Sequence, residues 1–240
     1  MSQDLVPFDF NALPAPIMAT TDLKEITKGI DYLQRLQLVT KGRYVDTGQM
    51  SPGHWGVPQP GGEAIVSLGG SIDILPLRVR AKALDMSNND AVIAVYDRSS
   101  TEFKRIVAAT EERDSSCMWG PSFLVYERSS AQFFELFLGT VSGRIESDKL
   151  VAFLPISPAE AKATGGQARG PLACTATSRY VKKAKFAWHV PVFSRCSEPI
   201  TNLPPNDVIL KEIEKFDKAV SEGTVSVTEE EAAAVKSRKR

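Results

Sequence analysis

The chain has 240 residues, 29 of them Lys or Arg against 29 Asp or Glu, and 42% are apolar. That suffices for one large domain core, and a net charge of zero excludes a binder that works by bulk positive charge, as histones do. No apolar run is long enough to span a bilayer, and the opening MSQDLVPFDF lacks the charged-then-apolar pattern of a leader. Three scattered cysteines (Cys117, Cys174, Cys196) suit a reducing compartment, so a cytoplasmic setting is expected.

Residues 1–20 carry Pro7, Pro14 and Pro16 and read as a flexible lead-in. Thr21 or Asp22 caps an expected helix reaching about Leu33, with Glu25 near the capping-box position. The segment 46–62 is dominated by Gly and Pro and reads as a long loop. His54 and Trp55 in it are open to two readings, a functional pair or a Trp that pins the loop to the domain. From Glu63 strand patterns begin. Ile65, Val66 and Leu68 precede a double glycine. Then 72–84 alternates so that Arg78, Arg80 and Lys82 share one face and Leu77, Val79, Ala81 and Ala83 the other. A buried strand is expected at 91–96. A helix follows at 99–111, capped by Ser99 or Ser100, with Phe103, Ile106 and Val107 facing inward.

Residues 117–120 lead into an expected hairpin with arms at 123–127 and 132–139. Phe134, Leu136 and Leu138 form its core face, and Phe133, Glu135 and Phe137 the more exposed one. A short helix over 143–154 and a flexible connection over 155–170 come next. After Pro204 and Pro205, Asn206 or Asp207 caps a last helix whose Ile209, Ile213, Phe216 and Val220 lie on one stripe. The domain therefore spans 21–222, and 223–240 reads as a disordered charged tail.

Residues 172–196, LACTATSRYVKKAKFAWHVPVFSRC, hold five basic side chains and no carboxylate. As one strand they would place Arg179, Val181, Lys183, Lys185, Ala187 and His189 on a cationic face. Tyr180, Lys182, Ala184, Phe186, Trp188 and Val190 would take the opposite face, with Phe186 and Trp188 in the core. Cations beside flat rings suit single-stranded nucleic acid, because phosphates need charge and unstacked bases need π-faces. The competing reading is a half-buried strand whose lysines are merely solvated. Arg78, Arg80 and Lys82 make a second basic strand face, and both faces are expected to line one groove with Trp119 or Tyr180 as stacking ring. The expected nucleic-acid-binding set is thus Arg78, Arg80, Lys82, Trp119, Arg179, Tyr180, Lys183 and Lys185.

No phosphate-cradling glycine loop, GxSxG elbow, HExxH or kinase signature occurs, and no enzyme activity, cofactor or metal site is expected. Asp85, Asp90 and Asp97 sit near strand ends, where a metal-dependent nuclease would need them and ordinary turns also use them.

Several segments together resemble a family of bacteriophage single-stranded DNA-binding proteins. They are YLQRLQ at 32–37, SLGGSIDILPL at 67–77, KALDM at 82–86, CMWGPSFLVY at 117–126, FFELFLGT at 133–140, FAWHVPVFSRCSEP at 186–199 and the closing helix near 212–216. The resemblance covers about 30–220 and contains no invariant chemical motif. It implies a mainly β, OB-like β-barrel with peripheral helices and a C-terminal helix. It further implies sequence-nonspecific binding of single-stranded DNA during phage replication or recombination, in the host cytoplasm. Replication or recombination proteins, and further copies in a homo-oligomer, are the other partners it suggests. Two departures stand out: the chain ends in KSRKR where such proteins often carry an acidic tail, and 165–170 has no counterpart. The alternative, from another class, is a phage structural or protein-interaction module without nucleic-acid binding. A third is a processing enzyme built on the aspartates.

Overall fold

The computed structural model describes residues 33–59, 63–87, 92–112, 115–184, 186–221 and 224–227. Along them run β1 (Arg35–Val39), α1 (Arg43–Asp46), β2 (His54–Pro58), β3 (Ile65–Gly69), β4 (Ile72–Asp85), β5 (Val92–Val95), α2 (Thr101–Ala109) and β6 (Cys117–Glu127). These are followed by β7 (Gln132–Phe137), α3 (Val141–Val151), α4 (Pro158–Thr164), β8 (Cys174–Lys183), β9 (Phe186–Arg195), α5 (Asn206–Ser221) and β10 (Thr224–Val227). The protein is mainly β. The lead-in at 1–20, the helix expected at 21–33 up to residue 32, Asp90 and Lys185 lie outside the described residues.

The strands pair into one mixed sheet in the order β10-β5-β4-β6-β7-β1-β2-β3, with β8 on β4 and β9 on β8. Only the β1–β7 pairing is parallel among the described residues. The 14-residue β4 organises the rest. One of its edges is followed by β6 from Ile74 to Asp85, while the other takes β8 at Ile72–Ile74 and β5 at Ala83–Asp85. A bulge between Pro76 and Arg78 interrupts the register, and a proline without an N–H is tolerated at such an irregularity.

The sheet curls. Trp55 from β2 and Phe193 from β9, strands far apart in pairing order, meet with ring centroids 6.3 Å apart. Around them Leu36, Ile74, Phe123, Val125, Phe134, Leu136, Leu150, Cys174 and Ala176 make one continuous core. The barrel expected from the sequence is nonetheless not closed: among the described residues β9 pairs with β8 alone, and β3 with β2 alone. Curling suffices to bury these side chains: β1 is ladder-paired to β7 and β2 to β1, and Trp55 of β2 then meets Phe193 of β9 by packing, with no β2–β9 pairing among the described residues.

A second core lies on the opposite face of the sheet. Ile209, Ile213 and Phe216 of α5, the stripe that the spacing of apolar residues marks, pack on Leu75, Leu77, Leu124 and Tyr126. Glu135 and Phe137 are buried where an exposed face was expected: Arg80, which packs on Phe216 of α5, reaches Glu135, and Phe137 packs in a further cluster with Leu84, Met86, Val92, Ala94 and Tyr96. Both faces of β7 are covered.

Local chemistry fixes the helix starts. Ser100 accepts from the Phe103 N–H and Thr140 from the Gly143 N–H. Ser157 and Glu160 form a reciprocal capping box around Pro158, with Gly165 ending α4 in the left-handed region at φ 68. The supposedly flexible 155–170 connection thus contains a capped helix. The buried carboxylate of Glu127 takes hydrogen bonds from the N–H and hydroxyl groups of Ser129 and Ser130, which shapes the β6–β7 turn. The tail is also revised. Thr224–Val227 pairs antiparallel with β5, so it carries an edge strand rather than disorder from its first residue. No helix among the described residues is long and apolar enough to cross a membrane.

Candidate nucleic-acid interface

The two basic segments are strands, but they do not share a groove. Their common reference is the β4–β8 ladder, in which Ile72 faces Ala176 and Ile74 faces Cys174. From that antiparallel register Arg78, Arg80 and Lys82 run one way along β4, and Arg179 through Lys183 run the opposite way along β8. At about 3.3 Å per residue, Arg78 and Arg179 are on the order of 30 Å apart in contour, and Lys82 and Lys183 further still.

The β4 set is covered. Arg78, Arg80 and Lys82 do share a face, as alternation requires, but α5 lies on it. Arg78 is half-exposed and pairs with Asp217 at 3.0 Å. The guanidinium of Arg80 is sandwiched 4.2 Å from the Tyr96 ring centre and 3.9 Å from that of Phe216, and it donates to the Phe216 carbonyl. Arg80 and Lys82 both reach Glu135, at 3.1 and 3.0 Å, and Ser122 donates its hydroxyl to the same carboxylate. Burial alone would raise the pKa of Glu135. The two cations and the Ser122 hydroxyl override it and hold the carboxyl well below its ordinary value. Arg80 and Lys82 therefore belong to a buried charge cluster and are withdrawn from the expected binding set. The bulge at Pro76–Arg78 is the physical reason. It shifts parity, so Leu75 and Leu77 before it and the three cations after it all face α5, a switch that unbroken alternation does not reveal.

Trp119 is withdrawn from the groove as well. It pairs with Ala83 near the far end of β4, half-buried, with the Arg144 guanidinium 4.6 Å from its ring centre. Arg144 also donates to the carbonyls of Trp119 and Gly139, so the ring and its cation form a clasp between α3 and β6.

What remains together is the outer part of the β8–β9 hairpin. The chain reverses after Lys183, with Ala184 at φ 52, and Phe186 pairs back onto Lys183. Cross-strand partners share a face. One face therefore carries Arg179, Val181, Lys183, Phe186, Trp188 and Val190, and the other Tyr180, Lys182, Ala187 and His189. The split into one cationic and one aromatic face is corrected: the turn inverts parity, and each face mixes cations with rings. Phe186, expected in the core, is 63% exposed, and Tyr180 is 59% exposed. Trp188 is half-buried rather than core. Arg179, Lys182 and Lys183 are exposed, and among the described residues they form no ion pair.

This arm is rigidly rooted. Cys174, Ala176, Val190 and Phe193 at its base are buried, and α3 packs on β9. Ser178 donates to the Gly53 carbonyl at 2.8 Å and stands 3.2 Å from His189 Nδ1, whose ring leans on Tyr180 at 5.3 Å. With its only hydroxyl proton on Gly53, Ser178 is left to accept from His189 Nδ1. Gly53 has φ +83, and a Cβ there would stand 2.4 Å from His189 Nδ1, so no larger residue fits this root.

Burial pushes the Cys174 thiol up to about 12, far from thiolate at neutral pH. Of the expected aspartates, Asp85 is buried and paired with Arg105, while Asp97 accepts from Ser99 in a local turn. Among the described residues no group of three His, Cys, Asp or Glu side chains could hold a metal ion. Searches of family models, of curated proteins and of solved structures returned no match to this chain.

Proposed function

We propose that the protein binds single-stranded DNA without sequence preference through the β8–β9 arm, as a binding protein rather than an enzyme, in phage replication or recombination. The observation that carries this reading is the arm itself: two exposed rings, Tyr180 and Phe186, interleaved with three exposed cations that form no ion pair among the described residues, in a stretch without a carboxylate from 172 to 196. Stacking rings and backbone-tracking cations are the two components of nonspecific single-strand binding.

Strand order supports the same reading. With β5 and α2, which come between β4 and β6, set aside as an insertion, the order β4, β6, β7, α3–α4, β8, β9 is compatible with an OB-like chain order of three strands, a helix and a hairpin. In that correspondence the arm takes the place of the connection between the fourth and fifth barrel strands, one of the loops by which OB folds bind oligonucleotides. The strand β1 would then be an addition beside β7. The resemblance to phage single-stranded DNA-binding proteins points the same way.

The test is a titration of fluorescent oligo-dT at two salt concentrations. Three phosphate contacts at most give a log–log salt slope no steeper than about −2, at about −0.7 per contact on single strands. Lys182→Ala/Lys183→Ala lowers both affinity and slope. Tyr180→Ala/Phe186→Ala costs roughly 1–3 kcal/mol for each base no longer stacked and leaves the slope alone. A wild type that fails to bind at low salt, or two double variants that bind as it does, overturns the reading.

A further inference from the structure

We infer that the arm holds two strands at once, one on each face, and that its substrate class is forked DNA, two single strands diverging from a duplex. The inference rests on the single-strand reading above and deepens it.

A groove binder needs cations and rings on one face only; the other face packs on the domain. This arm is built differently. Its Arg179–Lys183 half stands beyond the last β4 pairing at Ile72–Ala176, and beyond that point β8 has β9 as its sole partner among the described residues. Each face then has its own pair of components: Lys183 with Phe186 on one, Lys182 with Tyr180 on the other. All four side chains are exposed. Alternation along β8 makes this division unavoidable, because Lys182 and Lys183 are neighbours in sequence and must point to opposite sides.

Two polyanionic strands repel one another unless cations lie between them. A two-stranded ribbon with side chains on both faces separates what lies on either side by about 10 Å, close to the Debye length at physiological salt. The lysines of the arm sit inside that gap, so each strand sees positive charge before it sees the other strand. The exposed length from Arg179 to Lys183 is about 13 Å at 3.3 Å per residue, a track rather than a point contact. Phe186, the first described residue of β9 after the turn, lies on the Lys183 face near the end of the arm. An exposed ring there can stack on the last base pair of a fork, and a base pair offers it a broader stacking surface than one loose base. A single strand can occupy either face, whereas a fork occupies both, and linkage through the duplex makes the second contact intramolecular.

The experiment compares three fluorescent probes by anisotropy with the full chain: a duplex with two non-complementary oligo-dT tails, the same duplex with one tail, and oligo-dT alone. The fork is expected to bind at least about tenfold more tightly than either of the others. Tyr180→Ala/Lys182→Ala, which clears one face, should remove the preference for the fork, so that fork and singly tailed duplex bind this variant alike, whatever affinity for oligo-dT is left. Lys183→Ala/Phe186→Ala should do the same from the other side. Equal affinity of the wild type for fork and oligo-dT overturns the two-faced inference and leaves the single-strand reading standing. Absence of oligo-dT binding removes both.

Discussion

The cluster of Arg80, Lys82 and Glu135 turns a binding hypothesis into a stability prediction. Glu135 is 7% exposed and takes donors from Arg80, Lys82 and Ser122. The substitution Glu135→Gln keeps shape and volume while removing the charge both cations share. Breaking a buried pair by removing one partner costs about 3–5 kcal/mol, because the remaining charge stays desolvated. For a domain of this size each kcal/mol moves Tm by about 2–4 °C, so a drop of about 10 °C is expected. Urea unfolding should show a lower midpoint at an unchanged m-value. The control is Arg78→Ala, whose partner Asp217 shares a half-exposed surface pair, and which should cost less than about 1 kcal/mol. The pH dependence has a definite sign. The folded carboxyl of Glu135 lies below its unfolded value, so its contribution is fully present above about pH 4.3, the unfolded value, and declines as acid is added. A Glu135→Gln variant as stable as Arg78→Ala, with the same acid sensitivity as wild type, would refute a buried, charge-bearing cluster.

Three further outcomes follow from named contacts. Phe216→Ala removes a ring that is 1% exposed and that packs on both the second core and Arg80, so it should cost about 3 kcal/mol; an unchanged melting temperature would mean that α5 is detached. Asp85 is held at about 2: burial opposes this, but Ser87 and the Arg105 guanidinium outweigh burial, so stability on the order of 1–2 kcal/mol should be lost between about pH 4 and 2 and be missing at pH 7 in Asp85→Asn. Arg105 is half-exposed, which keeps the figure at the lower end. Lys82→Met should lower stability and leave the oligo-dT salt slope unchanged, whereas Lys182→Ala should lower the slope by about 0.7 and leave Tm alone; the opposite pattern would return the site to β4.

What the sequence made legible is what local chemistry decides. The cap at Ser100, the inner positions Phe103 and Ile106, the β6–β7 hairpin and the stripe Ile209–Ile213–Phe216 each follow from spacing of a few residues, and each is in place. The segment 46–62 misled because its glycines and prolines hide a strand, His54–Pro58, whose Trp55 is fully buried; of the two readings of that Trp, the structural one matches its position. The basic face of β4 was legible as a face but not as a covered one. Alternation tells which side chains go together. It does not say that a helix more than a hundred residues later will lie on them.

The arm shows the same limit more sharply. Over 179–190 the residues alternate well enough to be threaded as a single strand, and the turn has none of the Gly, Asn or Asp that normally mark a hairpin. Ala184 adopts φ 52 instead, a conformation that costs an L-residue about 1 kcal/mol or more. A two-residue reversal makes Lys183 and Phe186 cross-strand partners, whereas a straight strand would put them on opposite faces. Every ring after the turn therefore changes side relative to every cation before it. The sequence signal that was available is the excess of length: a run from Cys174 to Arg195 is far longer than a typical strand, and a chain that long without a break must fold back somewhere. Had the reversal been placed just after Lys183, Phe186 would have come out beside Lys183 as an exposed ring rather than a core one. An Ala184→Gly substitution follows from this: it relieves the left-handed residue, should keep or raise Tm, and should leave oligo-dT affinity intact. A loss of affinity without a loss of stability would show that the strained turn itself positions Phe186.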